Sequence, residues 1–182
     1  MTEQEKFARA VALAAEKHKN QTRRDGTPYI YHPMKVAEIV KTAGYGIPYQ
    51  ITAMFHDLLE DTDATEAQIG AFGEDILTAV KLLTRPEGID ETEYVAAICA
   101  NPIACVVKAA DKINNLWDSV FFAKREWARK YMKKSVTYYE GKFCPAVDRS
   151  IEEVSSILAG EEMPPRLYPF YTAEELKPYQ RG

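Results

Sequence analysis

The sequence predicts an all-α fold, a compact helical bundle. Two observations carry this expectation. Apolar residues recur at three- and four-residue spacing through most of the chain. The breaks between those stretches hold the capping and turn residues that start and stop helices. No β-rich stretch, internal repeat or low-complexity segment interrupts the pattern.

The first helix is expected over 3–19, with Phe7, Ala10, Val11, Ala14 and His18 on one stripe and Thr2 with Glu5 as a capping box. Asn20 to Pro33, rich in glycine, proline and charge, reads as a loop. Helical spacing resumes from Met34 to Thr42 through Val36, Ile39 and Val40, and Gly44 and Gly46 stop it. Pro48 suits a first turn and leads into YQITAMFHDLLED, a strongly apolar run placed as a buried central helix. Thr65 with Gln68 caps a short helix, and Gly73 precedes EDILTAVKLLT, whose Ile76, Val80 and Leu83 share a face. Asp90 or Glu91 opens ETEYVAAICA. Asn101 and Pro102 supply an N-cap and a first-turn proline for PIACVVKAADKINNLWDSVF, apolar enough to be central. Two more helices are expected at 124–141 and 145–159. The reading is one domain over 1–160, with 161–182 as a tail packed on it and a last helical turn from Thr172.

A chain of 182 residues suits a single core, and 46% apolar residues can fill one. The net charge of -4 argues against a protein that coats nucleic acid, which needs a broad basic field. A small anionic ligand held by a local basic cluster remains compatible. No apolar run reaches the length of a membrane span, and the first segment lacks the apolar stretch of a signal peptide, so the expected location is the cytoplasm with no membrane partner. Cys99, Cys105 and Cys144 fit no zinc pattern and read as buried thiols. An oligomer is open.

The candidate chemistry starts from three histidines, His18, His32 and His56. A lone histidine on an apolar helix is usually a satisfied core residue, and His18 has only that reading. His56 differs because Asp57 follows it inside an apolar helix. Buried ionisable groups persist when they are paired or bind a metal. Helical neighbours point about 100° apart, so they satisfy each other poorly but can converge on one ion. Asp111 is a second acid expected in a buried helix, and His32, in the loop YIYHPMKV, can complete a set of four. Glu60 and Asp61 lie one turn beyond the His-Asp pair and can reach the same face; the competing reading is a polar helix end.

The order H…HD…D, with the local texts GTPYIYHP, HDLLEDT and KAADKINNL, resembles the HD superfamily. More narrowly it is similar to the hydrolase domain of the RelA/SpoT alarmone enzymes, above all to their single-domain hydrolases of the metazoan SpoT-homologue type. The likeness runs from about Phe7 to Tyr139. It implies a compact HD-type helical bundle and one Mn²⁺ ion held by His32, His56, Asp57 and Asp111. Imidazole and carboxylate ligands suit such an octahedral ion. It implies that Glu60 and Asp61 orient or deprotonate the attacking water. It implies that Arg23 stacks on a guanine base while its neighbour Arg24 meets phosphate, that Asn115 and Lys112 lie near ribose and phosphates, and that Tyr131 touches phosphate. The activity implied is removal of the 3′-pyrophosphate of ppGpp, a guanine-nucleotide alarmone, to give GDP and pyrophosphate.

Three departures stand beside the resemblance. Leu58-Leu59 replace the Val or Thr-Val common between HD and ED, and this changes packing. Lys112 replaces an arginine and forfeits a bidentate phosphate contact. Thr84-Arg85 stands where a Thr-Lys pair is common. No synthetase domain follows in this chain. The rival readings are an HD hydrolase of another nucleotide, such as NADPH or a nucleoside monophosphate, and a non-catalytic nucleotide-binding HD module.

Overall fold

Side chains cap five of the eleven described helix starts. In α1 (Glu3–Lys17) the Thr2 hydroxyl accepts from the Glu5 N–H at 3.2 Å while the Glu5 carboxylate accepts from the Thr2 N–H at 2.7 Å, which satisfies two orphan donors reciprocally. Thr65 and Gln68 do the same for α5 (Glu66–Gly70). Asp90 caps α7 (Glu91–Cys99) and Asn101 caps α8 (Pro102–Phe122), whose first residue is the tolerated proline. These contacts come from a computed structural model, which describes residues 1–160 and 171–180. The other elements are α2 (Tyr31–Thr42), α3 (Ile47–Phe55), α4 (Leu58–Asp61), α6 (Glu74–Leu83), α9 (Arg125–Tyr138), α10 (Pro145–Ala159) and α11 (Ala173–Leu176). No strand occurs among the described residues; one antiparallel bridge joins Thr22 to Pro28.

Two helices organise the core. α3 packs against α1, α2, α6 and α8, and α8 packs against α2, α3, α6, α7, α9 and α10. The α3 segment Gln50–Phe55 is buried throughout, and Phe55 meets Phe72 edge-on at 4.9 Å between ring centroids. α8 buries Val106, Val107, Ala110, Ile113 and Leu116 on the same core. At the far end Tyr171 and Leu176 are buried, and the Tyr171 hydroxyl joins the Trp117 indole (3.1 Å) to Ser150 (2.7 Å). The expected course of the tail from Met163 to Phe170 lies outside the described residues. No described helix is long and apolar enough to cross a membrane.

The structure corrects the sequence reading at three places. α2 begins at Tyr31, so His32 is in a helical first turn and not in a loop. Pro33 does not prevent this, because the first-turn N–H groups have no intrahelical partner to lose. The expected continuous helix through HDLLED is broken: α3 ends at Phe55, and Asp57 (φ −104°, ψ −1°) starts a separate single turn. Of the three thiols, Cys105 and Cys144 are buried while Cys99 is only partly so.

Phe55 is fully buried and directly precedes His56. Phe55→Ala should cost about 3–5 kcal/mol of stability, as large-to-small changes in a packed core do. Urea denaturation measures this; a loss below about 1 kcal/mol would show that α3 is not the packed centre described here.

Candidate active site

Four side chains from three helical regions meet below the surface. His32 enters from α2, His56 and Asp57 from the α3–α4 break, and Asp111 from the middle of α8. The ligand atoms of His32, His56 and Asp57 all lie within 4.8 Å of one another, close enough to share one ion. The two Nε2 atoms face each other at 3.2 Å. Asp57 Oδ2 is 2.9 Å from His56 Nε2 and 3.7 Å from His32 Nε2. Asp111 Oδ1 is 3.2 Å from His32 Nε2 and 3.8 Å from His56 Nε2.

The pair sits at the break between α3 and α4, where Asp57 adopts φ −104° and ψ −1°. The tautomers also follow from the surroundings. His56 Nδ1 donates to the Ala53 carbonyl at 2.7 Å. His32 Nδ1 meets Asn114 Oδ1 at 2.6 Å, and the Asn114 amide is oriented because its NH₂ donates to Asp118. Each ring then presents a bare Nε2 lone pair to the centre. Two buried lone pairs at contact distance repel unless a proton or a cation lies between them. Mixed imidazole and carboxylate donors, with the outer ring nitrogens anchored, are the donor set of a divalent metal site.

Electrostatics agree. Burial disfavours charge on His56, but Asp57 and Asp111 outweigh it and raise its proton affinity above the ordinary histidine value. Burial pushes the Asp57 and Asp111 carboxyls up, but their partners reverse this: His56 and His32 for Asp57, Lys108 and Lys112 for Asp111, and both end well below the usual range. Lys108 Nζ sits 3.2 Å from Asp111 Oδ2, and Lys112 Nζ sits 3.7 Å from it. Burial and the neighbouring Lys108 lower Lys112 to about 8.

Asp61 and Glu60 diverge. The Tyr29 hydroxyl donates to Asp57 Oδ2 at 2.6 Å and lies 3.4 Å from Asp61 Oδ2, tying Asp61 to the centre. Burial, Asp57 and Glu60 raise the Asp61 carboxyl above its ordinary value. Glu60 instead accepts from the Arg85 backbone N–H at 3.1 Å, toward the α6–α7 loop.

A cavity of about 590 Å³ adjoins His32, and all five residues expected to bind substrate line it: Arg23, Arg24, Lys112, Asn115 and Tyr131. Arg23 is drawn to α8, where it bonds Asp118 Oδ2 (2.5 Å) and Asn115 Oδ1 (3.2 Å). Arg24 is the arginine that already lies on an aromatic face, 3.5 Å from the Trp127 ring centroid. The Asp25-Gly26 turn presents both, with Gly26 at φ 84°, a conformation glycine adopts without strain. Asn115 donates to Asp111 Oδ1 at 2.5 Å. The Tyr131 hydroxyl is buried with no hydrogen-bond partner among the described residues.

Residues 10–101 match the HD domain family. The chain belongs to the HD-domain family. This HD domain is 32% identical over 163 residues to the guanosine-3′,5′-bis(diphosphate) 3′-pyrophosphohydrolase MESH1 of Xenopus tropicalis, covering 84% of this chain and 88% of that protein. It is 31% identical over 146 residues to a protein of the same enzymatic name from Aquifex aeolicus, covering 74% of this chain but only 20% of the longer relative. A probable GTP pyrophosphokinase of Mycobacterium leprae matches at 34% over 132 residues, 67% of this chain and 17% of that one. The HD domain therefore spans about a fifth of these bacterial relatives. Among solved structures, a metazoan orthologue of SpoT described as hydrolysing ppGpp superposes with a TM-score of 0.67 at 27% identity, over 85% of this chain and 96% of the other.

Several residues of the site escaped the sequence reading. Tyr29 lies inside the quoted text GTPYIYHP, yet nothing in its spacing announces a bond to Asp57. Asn114 and Asp118 lie on α8 one and two turns around from Asp111, and Lys108 precedes it by three positions; all are placed by helical period once Asp111 is accepted as functional.

The raised His56 gives a pH prediction. In the metal-free protein it contributes stability that is fully present below about pH 6.5 and is lost as pH rises through its raised value. A metal ion binds only after that proton leaves. The Tm gain on adding Mn²⁺ should therefore be small near about pH 5.5 and clearly larger near about pH 8.5. Scanning calorimetry at both values checks this; equal gains would mean that no ring proton is displaced.

Proposed function

We propose that this HD domain is a metal-dependent phosphohydrolase that removes the 3′-pyrophosphate of ppGpp, giving GDP and pyrophosphate. The observation that carries the reading is the convergence of two Nε2 atoms and two carboxylates beside a cavity lined with basic and aromatic groups. The likeness to MESH1 across 88% of that protein supports the choice of substrate. In this reading His32, His56, Asp57 and Asp111 hold one divalent ion, Mn²⁺. Such an ion supplies Lewis acidity toward a phosphate oxygen and lowers the pKa of water.

The protein's own groups do the rest. Asp61, whose carboxyl is raised by burial and by Asp57 and Glu60, accepts a proton from the attacking water as general base. Tyr29 fixes the distance between Asp61 and Asp57. Glu60, anchored on the Arg85 N–H, adds negative charge that keeps Asp61 basic. Arg23 offers its planar face to the guanine base while Asp118 and Asn115 hold its edge. Arg24, Lys112, Asn115 and the orphaned Tyr131 hydroxyl meet the ribose and phosphates; an anionic oxygen would satisfy that hydroxyl.

Two outcomes test the assignment. With Mn²⁺ present, a nucleotide panel resolved by product chromatography should show ppGpp consumed to GDP and pyrophosphate. Preferential cleavage of NADPH or a nucleoside monophosphate would replace the substrate assignment. Asp61→Ala should retain the ion and lose on the order of 10²-fold or more in kcat, as loss of a positioned base does; near-normal turnover would remove Asp61 from the chemistry.

Arg23→Ala should raise KM for ppGpp by roughly tenfold to thirtyfold with kcat little changed, because a base contact made equally in ground and transition states affects binding alone. Arg24→Ala should show a deficit that shrinks as salt rises, because charge contacts are screened. Steady-state kinetics at two salt concentrations separate these outcomes, and an unchanged KM for Arg23→Ala would exclude it from base binding.

A further inference from the structure

His18 is the one histidine the metal centre does not use. It caps the C-terminus of α1 and is 2% exposed. Its Nδ1 is 2.6 Å from Gln21 Oε1. The Gln21 amide is oriented by its other end, since Nε2 donates to the Asp61 backbone carbonyl at 2.6 Å. The oxygen of Gln21 therefore faces His18, Nδ1 carries the proton, and Nε2 is a bare lone pair. That Nε2 is buried with no hydrogen-bond partner among the described residues. A buried acceptor left without a partner is destabilising, so a core histidine chosen only for packing would be better replaced by leucine.

The surroundings of His18 belong to the site. Its ring lies 4.7 Å from the Tyr29 ring, centroid to centroid. The Tyr29 hydroxyl joins Asp57 to Asp61. Gln21 holds the backbone of Asp61 itself. Two routes thus run from one imidazole to the proposed general base, one through Gln21 to its main chain and one through Tyr29 to its carboxylate.

We propose that His18 is a positioning residue for hydrolysis: through Gln21 and Tyr29 it fixes the Asp61 carboxylate against the metal centre. The inference rests on the hydrolase reading given above. Its role is orientation, so its loss should lower kcat while metal occupancy and KM stay the same.

The test uses His18→Leu, which fills the space without either nitrogen, and His18→Asn, whose amide can replace the Nδ1–H donor but not Nε2. In Mn²⁺-loaded protein, His18→Leu should lose about tenfold or more in kcat, in line with the sensitivity of turnover to small misplacements. KM should change by less than about threefold and the bound metal should be unchanged. His18→Asn should fall between this variant and the wild type. Turnover of His18→Leu within about twofold of wild type would overturn the proposal, and so would metal loss parallel to activity loss. If His18→Leu does not fold, His18→Asn decides by the same criteria. Nitrogen-15 spectra of the wild-type imidazoles add a readout without substrate: Nδ1–H with an unprotonated Nε2 is expected for His18, and the opposite tautomer would sink the inference. If the wild type fails to cleave ppGpp while those spectra hold, the substrate assignment has failed and the His18 geometry has not.

Discussion

The structure depends on one constraint: two adjacent polar residues, His56 and Asp57, must leave a buried helix in the same direction. On a continuous helix neighbours point about 100° apart, which makes a shared direction hard to reach. The chain meets the constraint by ending α3 at Phe55 and restarting at Leu58, with Asp57 at φ −104° between them. The break lies between fully buried Phe55 and Leu58, so the packing on both sides holds it in place. At the break Asp57 Oδ2 lies 2.9 Å from His56 Nε2 and 3.7 Å from His32 Nε2, and the single turn that follows carries Glu60 and Asp61.

α8 answers from the other side. One stripe of it packs the core, while Lys108, Asp111, Lys112, Asn114, Asn115 and Asp118 recur at helical spacing on another. This polar stripe is costly to bury, and its partners come from the stripe itself, from His32 on α2 and from the loop at 22–28. Asp111 takes Lys108 and Asn115, Asn114 takes His32 and Asp118, and Asp118 takes Arg23. The result is a wall on which the loop at 22–28 is pinned by an ion pair, close to groups already aimed at one point.

Much of this was legible in the sequence. The capping boxes at Thr2 and Thr65, the caps at Asp90 and Asn101, and the central place of α8 follow from local chemistry that tertiary packing does not alter. His56, Asp57 and Asp111 were legible because polar groups intruded into apolar helices, and His32 was added to them from what read as a loop. Two features were not. The first-turn position of His32 was hidden because Pro33 reads as a loop residue until its helical position is known. The break after Phe55 was hidden because the run through His56 has unbroken apolar spacing, and only the need to aim two side chains at one centre interrupts it. Tyr29, Gln21 and His18 were illegible for a further reason: their contacts join α1, the loop and α4, and no spacing within one element encodes them.

The central claim is that His32 and His56 face one cation through their Nε2 atoms. A crystal structure of the protein grown with Mn²⁺, phased at the manganese edge, tests it most directly. The account predicts a single anomalous peak bonded to both Nε2 atoms and to the carboxylates of Asp57 and Asp111. A peak elsewhere, or rings that turn Nδ1 toward the ion, would contradict it.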